Sequence, residues 1–251
     1  MLSALRRRLA ASELLSYNQV RRDRWITGQA AALAPGTRVL DVGAGSCPYR
    51  AQFRHCNYKT QDFAALQGEQ LRGGNYGRID YVCDASRIPV PDGSFDAVLC
   101  AEVLEHLPAP IEVVREFARI LAPGGKLILT APLGSGIHQE PFHFYGGYTP
   151  YWYGKFLVEA GFSEVSVQAN EGSLRSYAQE SIRFLLLARP FRLGMPLLAE
   201  LVWIPIWILL LPVIGVVIPV ACKLMDRFDR EQHFTVGYHI TAIRQPRPGQ
   251  S

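Results

Sequence analysis

Apolar and polar positions along the 251 residues fall into two regimes. From residue 38 to residue 168, short apolar runs alternate with stretches of helical spacing. Arg38-Val39-Leu40-Asp41-Val42 is a short apolar run ending at a glycine turn, which predicts a first strand. Asn57–Gln61, Ile79–Cys83, Phe95–Cys100, Lys126–Thr130 and Val165–Gln168 read as further strands, and the alternation in Phe234–Ile243 predicts a seventh. Ile111, Val114, Phe117, Ala118 and Leu121 recur at helical spacing, and Pro123-Gly124-Gly125 stops that helix. Residues 12–34 and Thr149–Ala160 predict two more helices, ended by Pro35-Gly36 and Gly161. Gly68–Gly77 reads as a loop. The alternation implies an α/β fold, a Rossmann-like and mostly parallel sheet with helices on both faces.

The second regime is Leu201–Cys222, which holds no charged residue. As one helix it extends about 33 Å, the thickness of a bilayer core. Pro205, Pro212 and Pro219 interrupt it. The strand after it belongs to the sheet before it, so a single crossing would place one sheet on two sides of a membrane. The expectation is therefore a hairpin, 197–222 dipping into one leaflet with its bend near Pro212. Trp203 and Trp207 suit an interface. Arg183, Arg189 and Arg192 before the run, and Lys223, Arg227 and Arg230 after it, suit headgroups. A helical lid packed on the domain or on a second subunit is the alternative. The expected organisation is a basic helical segment over 1–34, a catalytic domain over 35–170 and 231–245, and an apolar helical insertion over 171–230.

The formal charge of +4 is too modest to argue for nucleic acid. Its placement says more: Arg6, Arg7, Arg8, Arg21, Arg22 and Arg24 crowd the N-terminus, as suits an anionic lipid surface or a solvated helix face. The five cysteines form no C-x-x-C pair and are odd in number, a reduced, cytosolic pattern. With no apolar secretory stretch near residue 1, the expected location is the cytoplasmic face of a membrane.

Asp41, Asp62, Asp84 and Glu102 all fall at or just past strand ends, where sheets of this class bind ligands. Four carboxylates on one rim suit a ligand rich in hydroxyls, amines and positive charge. Gly43 and Gly45 free the first turn of Cβ atoms, so a ligand can approach the backbone. A dinucleotide fingerprint would place a third glycine at Pro48, which argues against a pyrophosphate there. In this order, Val39-Leu40-Asp41-Val42-Gly43-Ala44-Gly45, Asp62, Cys83-Asp84-Ala85, Phe95–Cys100 with Glu102-Val103-Leu104-Glu105-His106-Leu107, and Leu121-Ala122-Pro123-Gly124-Gly125 resemble the class I S-adenosylmethionine-dependent methyltransferases, close to the small-molecule group. The resemblance covers about residues 35–170 and the last strand. It implies a seven-stranded sheet with the last strand antiparallel. It also implies S-adenosylmethionine as cofactor, held by Asp41, Gly43, Ala44, Gly45, Asp62, Asp84, Ala85 and Glu102. The family's further glycine is replaced in Ser46-Cys47-Pro48.

A sulfonium is an already activated methyl donor, so the protein must mainly align an acceptor and exclude water. A base is needed only where the acceptor loses a proton. His106, His138, Glu140, His143, Tyr145 and Tyr148 are candidates, with His143 preferred as base or orienter and His106 second. Glu102, Glu105 and His106 share helical spacing and would suit a divalent ion. Similar E-x-x-E-H patterns supply metal ligands in RNA 3′-terminal ribose and quinone-precursor methyltransferases, and the same letters occur in metal-free relatives. No metal is expected. The leading expectation is methyl transfer to a lipid-linked or amphipathic small molecule at a membrane surface. The alternatives are a membrane-anchored S-adenosylmethionine-binding protein without transfer activity, and a metal-dependent RNA or quinone-precursor O-methyltransferase.

Overall fold

The computed structural model describes residues 17–246. Its strands are β1 Arg38–Val42, β2 Asn57–Asp62, β3 Tyr81–Val82, β4 Phe95–Ala101, β5 Leu121–Pro132, β6 Phe162–Ala169 and β7 Gly237–Arg244. They form one sheet in the order β3-β2-β1-β4-β5-β7-β6. β1, β2, β3, β4 and β5 pair in parallel, and β7 runs antiparallel to β5. This is the Rossmann-like, mostly parallel sheet with an antiparallel last strand that the sequence implied. The helices are α1 Tyr17–Ala31, α2 Pro110–Ile120, α3 Pro150–Glu159, α4 Ser173–Leu187 and the long α5 Leu197–Phe228. The described residues separate into two compact units, 22–168 with 237–246, and 17–21 with 169–236.

In the first unit β1 is central and covered on both faces, so it reads as a continuous apolar run: Val39, Leu40 and Val42 are fully buried. Ile26 and Ala30, four residues apart on α1, pack with Val39, Phe53, Ala97, Leu99 and Ile128 in one cluster. Phe53 stands in a series of turns between β1 and β2, where an α/β alternation would place a helix. A further departure concerns β5. Its strand begins at Leu121, directly after α2, and runs through Pro123-Gly124-Gly125. The pairing shifts between Phe95↔Leu121 and Ala97↔Lys126. A Cβ on Gly125 would lie 2.8 Å from the Ala122 carbonyl oxygen, so the irregularity needs glycine there.

The second unit is a helical hairpin. Near its C-terminal end α5 caps the start of α4: the Asp226 carboxylate accepts from the amides of Gly172 and Arg175, and Asp229 from that of Ser173 (2.6 Å). Toward its N-terminal end α5 satisfies the last carbonyls of α4, with Trp207 Nε1 donating to Leu185 O (3.1 Å) and Trp203 Nε1 to Ala188 O (2.6 Å). The two helices are therefore antiparallel, joined by residues 188–196. The bend expected at Pro212 does not occur. Pro212 is helical at φ −66° and ψ −36°, and the chain continues through a π turn, Val213–Val217.

Phe53 has no accessible surface, so Phe53→Ala should cost about 3–5 kcal/mol by leaving a cavity where the sheet, α1 and the β1–β2 turns meet. Urea unfolding followed by circular dichroism checks this. A cost under about 1 kcal/mol would show that the turns carry no part of the core.

Candidate functional site

The strand ends of β1, β2 and β4 surround a cavity of about 460 Å³. Its wall includes Asp41, Gly43, Ala44, Gly45, Asp62, Asp84, Ala85 and Glu102, all eight residues expected to hold the cofactor. The turn after β1 is held by side chains from the end of β2. Gly43 N donates to Gln61 Oε1 (3.3 Å) and Gly45 N to Asp62 Oδ2 (2.9 Å). Gln61 Nε2 reaches onward to the Cys83 carbonyl (2.6 Å) beside Asp84. Gly43 and Gly45 have φ of +68° and +50°, the left-handed region. At Gly43 the reason for glycine differs from that expected. A Cβ there would strike Val103 Cγ2 at 2.4 Å, so the tight packing of β1 against the segment after β4 excludes a side chain before any ligand does.

Each carboxylate of the rim has a distinct environment. Asp41 is fully buried and accepts a short hydrogen bond from the Tyr58 hydroxyl. Burial raises its pKa to about 7. Asp62 also accepts from Ala64 N (2.9 Å) and Tyr76 OH (3.1 Å), and Asp84 from Ser86 N (2.7 Å). Glu102 accepts from Thr130 Oγ1 (2.8 Å) and pairs with Arg22 at 3.0 Å. Arg22 lines the same cavity. Sequence reasoning placed it with the N-terminal cationic cluster, because nothing local separates a half-buried arginine from the exposed Arg21 and Arg24. Arg21 pairs with Glu171, while Arg6, Arg7 and Arg8 lie outside the described residues. Gln61 was missed as well, since a glutamine at a strand end carries no signal by itself.

The outer cavity wall is apolar: Phe63, Leu66, Leu107, Pro108, Phe142 and Phe144. Two loops meet over it. Gln70 Nε2 donates to Glu140 O (2.8 Å), Gln139 Nε2 donates to Gln70 O (2.7 Å), and Phe63 meets Phe142 edge to face at 4.9 Å. His106 is part of the wall. Its Nδ1 lies 2.6 Å from Phe142 O, which can only accept, so Nδ1 carries the proton and Nε2 presents a lone pair. Burial, then the neighbouring His138 and His143, lower its pKa to about 4, and the ring is neutral near pH 7. His143 stands behind it, ring centroids 5.6 Å apart, with Nε2 3.1 Å from Ser135 Oγ. It is not part of the cavity wall. The Tyr145 and Tyr148 hydroxyls donate to the carbonyls of Pro108 and Leu104 and hold the loop.

The grouping of Glu102, Glu105 and His106 is not what forms. Glu102 is engaged by Arg22 and Thr130. Among the described residues, Glu105, His106 and His138 offer ligand atoms within 4.8 Å of one another, and Glu105 Oε2 is buried without a partner. That trio brings ligand atoms closer together than the three residues that share helical spacing in the sequence.

The family model described as "Methyltransferase domain" matches residues 40–129. A demethylmenaquinone methyltransferase of Renibacterium salmoninarum is 34% identical over 123 residues, 47% of this chain and 51% of that enzyme. A ubiquinone biosynthesis O-methyltransferase of Xanthomonas oryzae pv. oryzae is 60% identical over 104 residues, 38% of this chain and 43% of that enzyme. The chain thus spans about half the length of the curated relatives it matches. Among solved structures, phosphoethanolamine N-methyltransferase 2 of Haemonchus contortus, bound to S-adenosyl-L-methionine, shares the fold at a TM-score of 0.50 and 19% identity, covering 90% of this chain and 52% of that one. The cyclase SpnF shares it at 0.50 and 20% identity, covering 89% and 80%.

The raised pKa of Asp41 fixes a sign. The folded state holds this proton more tightly than the unfolded chain does, so the group favours folding at low pH. That contribution is lost as pH rises from about 4 toward 7. In ligand-free protein, Asp41→Asn should gain stability relative to wild type across that range. Melting temperatures of both proteins from pH 4 to pH 8 test this, and parallel curves would refute it.

Proposed function

We propose that the chain, whose residues 40–129 match a methyltransferase domain, transfers a methyl group from S-adenosylmethionine to a small, amphipathic acceptor. The observation that carries this reading is the cavity wall, where a side-chain-free glycine turn and four carboxylates converge on one space. Bound there, S-adenosylmethionine supplies a methyl group activated by its sulfonium. Asp62 and Asp84 retain lone pairs for hydroxyl and amine donors, and the wall's negative character suits a cation. The glycine amides are already fixed by Gln61 and Asp62, so the pocket is organised before a ligand arrives.

The acceptor side is apolar. Phe63, Phe142 and Phe144 with Leu107 form a surface for a ring or an alkyl chain. Relatives named for demethylmenaquinone and ubiquinone biosynthesis support an acceptor of that character. The exposed apolar α5 supports a place of work at the cytoplasmic face of a membrane, where amphipathic acceptors concentrate. His106, neutral and with Nε2 unprotonated, is the base for an acceptor that must lose a proton, in preference to His143. A second reading is favoured by Glu105, His106 and His138, whose geometry suits a metal-assisted transfer. A third reading, binding without methyl transfer, is decided by whether a methylated product appears.

Asp62→Ala should weaken S-adenosylmethionine binding by about 1.5–3 kcal/mol, roughly 10- to 150-fold, through loss of charge-assisted hydrogen bonds. Isothermal titration measures it, and unchanged affinity in a folded variant would sink the cofactor assignment. His106→Ala should lower turnover by about 10²–10⁴-fold on a hydroxyl acceptor while leaving cofactor affinity within a few-fold. Turnover should persist after exhaustive chelation. Its loss, restored by a divalent ion, would replace this reading with the metal-assisted one.

A further inference from the structure

The α4–α5 hairpin has a polarity that a soluble helix pair lacks. On α5, Glu200, Pro219 and Cys222 are buried, and the indoles of Trp203 and Trp207 bond to α4. The other faces are exposed and apolar. Leu198 is 79% exposed and Leu209 72%, and none of the most apolar 18-residue window of α5 is buried. Apolar residues surround the whole first half of α5, so it has no polar face to turn toward water. Large exposed apolar patches mark binding surfaces.

Charges on the hairpin occupy three places. Arg189 and Arg192 sit at the connecting turn. Arg227 and Arg230 sit at the opposite end of α5. The Glu180–Arg183 pair lies midway along α4, about half exposed. An upright hairpin would carry the turn's arginines and this pair through hydrocarbon, which is costly for charged groups. Lying flat, both ends reach the headgroups, α4 keeps its charged pair toward water, and α5 is immersed one helix spacing deeper, about 8–10 Å. The connectivity agrees: the chain leaves the sheet at the end of β6 and returns to the same sheet at β7, so both flanks lie on one side.

We propose that the α4–α5 hairpin is an in-plane anchor that lies parallel to the surface of an anionic phospholipid leaflet, with α5 immersed and arginines at both ends on lipid phosphates. This deepens the membrane part of the proposed function and does not rest on the chemistry of the cavity.

The test uses the full chain and vesicles of phosphatidylcholine with or without phosphatidylglycerol. The protein should float with the anionic vesicles and less with the neutral ones. The double variants Arg189→Glu/Arg192→Glu and Arg227→Glu/Arg230→Glu should each lower the bound fraction several-fold. Spin labels then measure depth, placed at Leu198→Cys, Leu209→Cys and Val220→Cys after the half-buried Cys56 and Cys83 are changed to serine. These positions are eleven residues apart along α5 and all are exposed. In-plane binding puts all three within one helix diameter of each other in depth, about 10–12 Å. A crossing helix would spread the outer two by about 33 Å along the membrane normal, and that gradient overturns the proposal. So does a protein that ignores both vesicle types, including one that forms a dimer in which the labels are shielded. Isothermal titration of S-adenosylmethionine on the same samples reads the cavity's chemistry separately.

Discussion

The structure turns on how two backbone amides are satisfied. A turn that leaves β1 in the left-handed region exposes the N–H groups of Gly43 and Gly45 in a place water reaches poorly, and buried amides need acceptors. The acceptors are Gln61 and Asp62, which follow from the parallel register that sets Val42 opposite Gln61. A slip of one residue between β1 and β2 would send each of these side chains to the face opposite its present one and leave the turn unsupported. Gln61 spans further, to the Cys83 carbonyl, so one side chain ties together the ends of β1, β2 and β3. The cavity's shape is thus a property of strand pairing before it is a property of any ligand.

The same pairing concentrates acidic groups where solvent is scarce, and the protein resolves each differently. Glu102 takes a cation, Arg22, whose protonated form is further stabilised by that neighbour. Asp41 takes only a neutral hydroxyl, and burial holds its pKa near 7. Glu105 takes neither on Oε2; burial first and Glu102 second raise its pKa to about 8. A positive ligand entering beside Asp41 would favour the ionised carboxylate and so bind more tightly as pH rises through that range. A cation bound beside Asp41 would thus gain affinity with pH where the empty fold loses stability, both through one buried acid.

Much of this was legible in the sequence, for identifiable reasons. β1 could be read because a strand covered on both faces needs a continuous apolar run, and its end because only glycine tolerates the turn. The antiparallel sense of the last strand could not be read from periodicity and came from the resemblance, and the spatial order of the strands came only with the structure. The start of β5 was hidden by Pro123-Gly124-Gly125, which ends most elements but here forms an irregular strand opening. The sequence favoured His143 over His106, because His143 follows the fifth strand. The Phe142 carbonyl and the packing of the loop bring only His106 to the cavity wall. At Pro212 the residue's usual effect misled. Pro212 removes a helix hydrogen bond, yet its dihedrals stay helical and the chain continues as helix through the π turn Val213–Val217.

The connection between β6 and β7 bears on why the hairpin exists. These strands are neighbours in the sheet, and neighbouring strands need only a short link. Residues 170–236 are therefore not required to close the fold. Entropy tolerates such an insertion at modest cost, because loop closure grows only with the logarithm of length. Tolerance does not explain the composition. A spacer would be polar, whereas this insertion holds a helix whose exposed side chains over 201–217 are leucine, isoleucine, valine and proline, while its acidic groups close the hairpin: Asp226 and Asp229 cap α4, and Glu200 accepts from the Phe191 amide. A segment that orders itself at both ends yet leaves its apolar faces uncovered has the composition the proposed anchor requires.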